Sequence, residues 1–534
     1  MLRVLDECDN VSADFSADPV HDLRVALRRC RSMADGMIAI DPDPSWKAMK
    51  KAGKQLFQWL GDLRDVQIMM EWIDSLEEKV TGRAKEQASV AEESSLGTAS
   101  ISQAQPFAAE QNHDPTAQTL LHLLKARESE HKSEARLALQ DFDRKQWRQW
   151  STSLSQRAAR IRPGSPIYKH LALERWTAAR KLHGPALRNG APAALHRLRI
   201  GIKRFRYIVE NFLPAEHDAW SDDLKHMQDL LGEVHDLDVL WETANTCDSF
   251  PDEGSRNLWH SRIAEERNKR IEEYREKTTG PQSLWNVWRA GLPSGKQIQD
   301  IANRRMKLWA KALDPDFSHS ERVARLSLQL YDGLDAAGLF RANRDSTSRD
   351  GKDNDLRASL NAAALLHDVG KSKGKKSHHK KSFEIIQKHS TPLGWKEEDF
   401  SRAALVARFH EGTLPNRRHK ALQDLLPGEQ RNVIQLSAIL RLANALDSAH
   451  NGQIRSIRVE DASARERVKN SRKQIRKQGR DGFLRTVPTP SKNEAVIISA
   501  EGYLEGTLTA QAAATERYLL ETVLKRPVIV RRAN

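Results

Sequence analysis

A chain of 534 residues is long for one hydrophobic core and is expected to divide into two to four domains. Its 86 Lys and Arg against 72 Asp and Glu give a net charge of +14, which favours a polyanionic partner: nucleic acid, polyphosphate or an anionic surface. Only Cys8, Cys30 and Cys247 are available, at no metal-ligand spacing, which argues against a disulfide framework and for a reducing compartment. No run of about 18 apolar residues offers a membrane span, and Asp6, Glu7 and Asp9 stand where a signal peptide would be basic. A cytoplasmic protein is expected.

In chain order, the first element is a basic amphipathic helix. His21, Arg24, Arg28 and Arg31 recur at steps of three, four and three, within roughly 80° of one helix face, with Leu23, Leu27 and Cys30 opposite. Asp41-Pro42-Asp43-Pro44 then breaks the chain, and a helix of mixed pattern is expected from about Trp46 to Val80. Residues 82–118, rich in Ala, Ser, Glu and Gln, read as a flexible insertion. Helical periodicity returns over 119–159, and Pro163–Pro166 ends it. Helices are then expected at 167–184, 192–213, 216–246 and 254–278, with a boundary at Pro281 and Gly291–Gly295.

The helix at 192–213 repeats the first. His196, Arg199, Lys203 and Arg206 keep the same steps, backed by Leu198, Ile202 and Phe205. A single cationic stripe is usually a solvated face, even though each like-charge i,i+4 pair costs about a few tenths of a kcal/mol. Two stripes of the same spacing point instead to an anion site, guanidinium forks and imidazoles meeting phosphate oxygens. A second pair of segments, Leu60-Gly61-Asp62-Leu63-Arg64-Asp65 and Leu231-Gly232-Glu233-Val234-His235-Asp236, extends the duplication.

These paired segments resemble the CHAD family, helical domains whose two halves each carry a His-x-x-Arg-x-x-x-Arg/Lys helix. The resemblance implies a basic cavity binding inorganic polyphosphate, lined by His21, Arg24, Arg28, Arg29, Arg31, His196, Arg199, Lys203, Arg204 and Arg206.

The second half starts a helix near Ile298, and Val323, Leu326, Leu330 and Leu334 give the next one an apolar face. Residues 341–357 read as a loop. An apolar helix from Ala362 then ends in His367-Asp368, with Gly370 supplying the break that an adjacent His-Asp pair needs. A basic loop follows, and helices are expected at 380–388, 397–411 and 429–449. Strands at 454–460, 494–499 and 526–532, a helix at 510–524 and a basic stretch at 461–482 make a small α+β tail.

His319, His367-Asp368 and the later segments around His379, His410 and Asn444–Asp447 resemble the HD phosphohydrolase superfamily in kind and order. Residues 306–534 are similar to the C-terminal half of the exopolyphosphatase and guanosine pentaphosphate phosphatase family, whose actin-like catalytic half has no counterpart here. That resemblance implies His319, His367 and Asp368 as ligands of a divalent metal (Mn, Mg, Fe, Zn or Co) activating water for attack at phosphorus. Lys371, His379 and His410 would serve catalysis or hold phosphate. The position expected for the last ligand is Asn444, with Asp447 one turn later as the substitute. The expected protein is mainly α: a duplicated helical domain over 1–290, an HD-type domain over 298–452 and the tail over 453–534. Three readings stay open: a polyphosphate binder carrying a phosphohydrolase, a binding and localisation protein (associated with polyphosphate granules) with an inert second half, and a nucleic-acid binder. The last lacks an aromatic stacking platform beyond Phe205 and Tyr207.

Overall fold

In the computed structural model, residues 1–94, 114–339, 352–461 and 495–533 are described. The chain separates into two compact units, Met1–Gln297 and Ile298–Asn534. It is mainly α, with one small sheet near the C-terminus, as the sequence leads one to expect.

Unit 1 is helical throughout its described residues. Helices α1 (Arg3–Ala13), α2 (Ala17–Ile38), α3 (Pro44–Ala52) and α4 (Lys54–Ser94) form its first half. They are followed by α5 (Pro115–Gln140), α6 (Arg144–Ala158), α7 (Pro166–Asn189), α8 (Pro192–Phe212), α9 (Pro214–Thr246), α10 (Glu253–Thr278) and α11 (Leu284–Ala290). Proline occupies the first turn of α3, α5, α7, α8 and α9, where a missing N–H costs nothing. Asp43, Asp114 and Asp143 accept backbone N–H groups at the starts of α3, α5 and α6. The apolar back of each basic helix is core: Leu23, Leu27, Leu198, Ile202 and Phe205 are all completely buried. The two basic helices α2 and α8 pack against each other, α2 also against α4 and α8 against α9.

Three expectations for this unit need correction. The helix expected at 46–80 is two, divided before Lys54, and the second runs to Ser94. Residues 82–94, read as insertion, are helical, in keeping with Ala, Glu, Gln, Lys and Arg as strong helix formers. Residues 115–118 open α5, and the rest of that insertion, 95–113, lies outside the described residues. The helix expected over 119–159 breaks at Asp141–Asp143, where Asp143 caps a new start.

Unit 2 contains α12 (Lys296–Leu313), α13 (Phe317–Ala336), α14 (Lys352–Leu366), α15 (His378–Lys388), α16 (Glu397–Arg408) and α17 (Pro427–Leu446). Short 3-10 turns occupy Val369–Lys373 and Lys420–Leu422. The tail comprises β1 (Ile457–Asp461), β2 (Val496–Ala500), α18 (Leu508–Leu524) and β3 (Val528–Arg532). Strand order is β1-β2-β3: β1 pairs antiparallel to β2 with Ile457 opposite Ala500, and β2 pairs parallel to β3 with Val496 opposite Val528. The parallel pair requires a crossover, and α18 supplies it. Val496, Ile498, Ala500 and Val528 join the helical core, so tail and helices share one interior. Within the expected loop 341–357, residues 352–357 belong to α14, while 340–351 and 462–494 (with most of the basic stretch) lie outside the described residues.

Candidate functional site

In unit 1, the duplicated helices bring their charges to one centre. Lys203 on α8 is surrounded by Arg199, Arg28 and Arg24, with Asp65 as the nearby acid. Asp236, the counterpart of Asp65 in the second copy, faces Arg199, Arg24 and Asp65. The Arg24 guanidinium donates to the carbonyls of Gly61 at 2.7 Å and Leu60 at 3.3 Å, and lies 3.5 Å from Asp65. Glycine at 61 permits this: a Cβ there would stand 3.3 Å from Arg24 Nη1. At Gly232, the second-copy equivalent, it would stand 3.8 Å from Arg199 Nε. The close approach of the arginine thus depends on glycine at 61, while at 232 a Cβ would make only ordinary contact.

The charges do not cancel. Burial and three neighbouring arginines push Lys203 down to about 7. Burial pushes Asp236 up to about 6 despite the arginines beside it. His196 and His235 meet Nδ1 to Nδ1 at 3.3 Å, and burial with Arg199 drives His235 down to about 4. Arg28 lies over the Tyr207 ring at 5.8 Å, and its Nε is buried with no hydrogen-bond partner among the described residues. Cations buried without matching acids form a site that an anion would complete.

Not every candidate joins this centre. His21 sits exposed near Arg64, Arg28 and Arg24. Arg31 donates to the Lys50 carbonyl at 2.9 Å and stacks on Phe57, so its fork is committed to structure. Arg29 is ion-paired with Glu210 at 2.8 Å, Arg204 is exposed, and Arg206 faces Asp229. Sequence reasoning omitted Arg64, Asp65, His235 and Asp236, although all four lie in the second duplicated segment and could have been read from it.

In unit 2, helix ends converge. Asp316 caps α13 and places His319 in its first turn. The chain leaves α14 at His367-Asp368 and tightens into the 3-10 turn. A Cβ on Gly370 would lie 2.2 Å from the His378 carbonyl, so only glycine lets this turn sit on the start of α15. Ser382 pins the arrangement, accepting from Gly370 N–H at 2.8 Å and donating to the His367 carbonyl at 2.6 Å. His410 follows the end of α16.

Two triads share one carboxylate. His319, His367 and Asp368 form one, Asp368, His378 and His410 the other, each with ligand atoms within 4.8 Å of one another. The imidazole Nδ1 atoms are all occupied: those of His367, His378 and His410 face the carbonyls of Ala364, Lys375 and Ala407 at 2.7, 3.0 and 2.8 Å. Each Nδ1 therefore carries the proton and turns an Nε2 lone pair inward. The His378 and His410 Nε2 atoms then meet at 3.0 Å, two lone pairs that need a shared positive charge, a proton or a metal ion, between them. His367 Nε2 is buried without a hydrogen bond among the described residues, 3.3 Å from Asp368 Oδ2. Burial raises Asp368, but His367, His378, His410 and Lys371 outweigh it and hold the carboxyl far below its usual range. Burial lowers His367 and lowers His410 further, while for His378 the Asp368 carboxylate outweighs burial and raises it. Imidazoles whose Nδ1 atoms are committed to backbone carbonyls, set around one carboxylate, are a donor set that suits a divalent transition metal.

Three sequence-derived assignments change. Asp447 is not in either triad: its Oδ2 accepts from His319 Nδ1 at 2.8 Å and from Arg322 at 2.8 Å, so it orients His319 from behind. Asn444, one turn earlier on α17, presents Oδ1 to His319 Nε2 at 2.9 Å and lies on the triad side. The third is the His378–His379 pair, of which His378 enters the cluster, while His379 lies beside it with ring centroids 6.0 Å apart. Lys371 pairs with Asp368. A cleft of about 290 Å³ opens over the cluster, lined by His319, Asp368, Lys371, His378, His410 and Asn444, with Arg441 and Glu516 of the tail helix on its wall.

The fold and these two centres define a helical protein that couples a duplicated cationic bundle to a histidine–aspartate unit. Family comparison agrees on both: residues 2–245 match the CHAD domain, and residues 301–485 match Ppx/GppA phosphatase, domain III. The chain thus matches a CHAD domain followed by a Ppx/GppA-like C-terminal region. The second match stops before β2, α18 and β3, so the last part of the similarity read over 306–534 lies beyond it. No curated protein matches the chain. Among the described residues, no helix is long and apolar enough to cross a membrane.

Proposed function

We propose that this protein binds inorganic polyphosphate in the cationic centre of unit 1 and acts through unit 2 as a metal-dependent phosphohydrolase of HD type. The observation that carries the binding half is the convergence of Arg24, Arg28, Arg199 and Lys203 from two copies of one motif, with Lys203 depressed to about 7 by burial and those arginines. A phosphate chain supplies the missing charge, and guanidinium forks match its oxygens. His319, His367, Asp368, His378, His410 and Asn444 are the residues that would hold metal, with Asp368 common to both triads. A divalent ion bound there would lower the pKa of a water and stabilise charge on phosphorus. The protein's own part is to fix each imidazole tautomer through Ala364, Lys375, Ala407 and Asp447, and to hold phosphate oxygens with Lys371.

A second reading, phosphate binding without turnover in unit 2, is favoured by one observation: Asn444 brings no charge to the triad side. The test is the chain-length ladder of polyphosphate on a gel after incubation with full-length protein and Mn²⁺. Progressive shortening that stops in His367→Ala supports the hydrolase; a retarded but intact ladder supports the binder. A ladder neither retarded nor shortened removes both, and competition with DNA then tests the nucleic-acid alternative.

A further inference from the structure

Beside the histidine–aspartate cluster, and not among the residues lining its cleft, two buried polar atoms have no hydrogen-bond partner among the described residues: His379 Nδ1 and Arg408 Nη1. Arg408 ends α16 and its guanidinium lies 5.6 Å from the Phe409 ring centroid. Burial and then the Arg408 charge lower His379, and the same two causes, in that order, lower His419. His419 packs edge-on against Phe409 at 4.9 Å, and its Nδ1 accepts from Ala421 N–H at 3.2 Å, which leaves the proton on Nε2. Gly412, at φ 77°, brings backbone against the other side of the His379 ring, where a Cβ would stand 3.0 Å from Nε2. The remaining charges facing this point are Lys380, His378 and Glu411, and Glu411 is turned to His378 Nε2 at 3.2 Å.

A buried arginine donor, an imidazole nitrogen and a second imidazole, gathered without an acceptor, are an incomplete set of hydrogen bonds. We infer that Arg408, His379 and His419 form a second oxyanion site that takes one phosphate group next to the histidine–aspartate cluster. The His379 ring lies 6.4 Å from His410 and 6.0 Å from His378, so a group held here neighbours one held at Asp368. The ligand class that fits both is a compound with adjacent phosphoryl groups. The site requires no metal and does not depend on the hydrolase reading.

The test is calorimetric titration of pyrophosphate, in EDTA, into the full chain carrying Arg199→Ala and Lys203→Met to silence unit 1. The expected result is a remaining site that Arg408→Gln weakens at least tenfold and His379→Phe at least fivefold. His419→Gln gives an independent readout should Arg408→Gln fail to fold. Unchanged affinity in folded Arg408→Gln and His379→Phe, or no pyrophosphate binding in the background chain, would each overturn the assignment. No hydrolysis is read, so a failure of the phosphohydrolase reading leaves this result unaffected.

Discussion

Lys203→Met should make the protein more stable while weakening its hold on polyphosphate. The lysine is folded into a half-buried position beside Arg199, Arg28 and Arg24, and its pKa falls from 10.5 to about 7. At about 1.4 kcal/mol per pH unit, that drop sets a ceiling near 5 kcal/mol on the cost of keeping it charged. Residual solvent contact and screening reduce the expected cost to about 2–3 kcal/mol. The sign follows from linkage. The unfolded chain binds the proton more tightly, so the destabilisation is complete below pH 7, shrinks as pH rises from 7 to 10.5, and vanishes above. Methionine keeps the apolar stem and removes the charge. Hydrogen exchange of unit 1 peptides across a urea series, at pH 6 and pH 10, reads the difference between variant and parent. A gain of about 2–3 kcal/mol at pH 6 that nearly disappears by pH 10 is expected, with polyphosphate affinity reduced about 10- to 100-fold for the lost charge-assisted contact. Destabilisation at pH 6, or an equal gain at both values, would refute the argument that this centre stores unneutralised charge.

The remaining predictions concern both centres. Polyphosphate affinity should be full below pH 7 and fall about tenfold per unit above it, because the bound anion returns Lys203 toward its ordinary pKa. Calorimetry in buffers of different ionisation enthalpy should then show uptake of about one proton near pH 8, and no uptake would contradict this. Asn444→Asp should tighten Mn²⁺ binding at least tenfold by adding a carboxylate at the Oδ1 position 2.9 Å from His319 Nε2. An unchanged Mn²⁺ titration would place Asn444 outside the metal's reach. Gly370→Ala should cost about 3 kcal/mol or more of unit 2 stability, since the new Cβ meets the His378 carbonyl at 2.2 Å and Ser382 N at 2.4 Å. A thermal midpoint within a degree of the parent would mean the turn relaxes freely.

Much of this was legible because charge and periodicity survive in sequence. His21, Arg24, Arg28 and Arg31 repeat in His196, Arg199, Lys203 and Arg206, and burial of Leu23, Leu27, Leu198 and Ile202 follows from the same helical period. Residues one step off the stripe were not separable that way. Arg29 and Arg204 are adjacent to stripe members but about 100° round the helix, and Arg29 meets Glu210 instead of the centre. Around the histidine–aspartate cluster the difficulty is phase. Ser377 adopts φ 54°, a left-handed residue that resets the chain just before α15, so which of His378 and His379 faces inward could not be read from spacing. Asn444 lies in the last turn of α17 and Asp447 follows as its cap, and only the fold decides that the amide meets the front of His319 and the carboxylate its back. In α4, helix propensity kept 82–94 regular where composition alone read as insertion.

The most direct test of the central claim is a titration of polyphosphate into the full-length protein and into an Arg28→Ala, Arg199→Ala double variant at pH 7. The account predicts tight binding that weakens steeply with salt, and a loss of at least a hundredfold in the double variant with its fold intact. Equal affinity in the two proteins, or no binding by the parent, would contradict it.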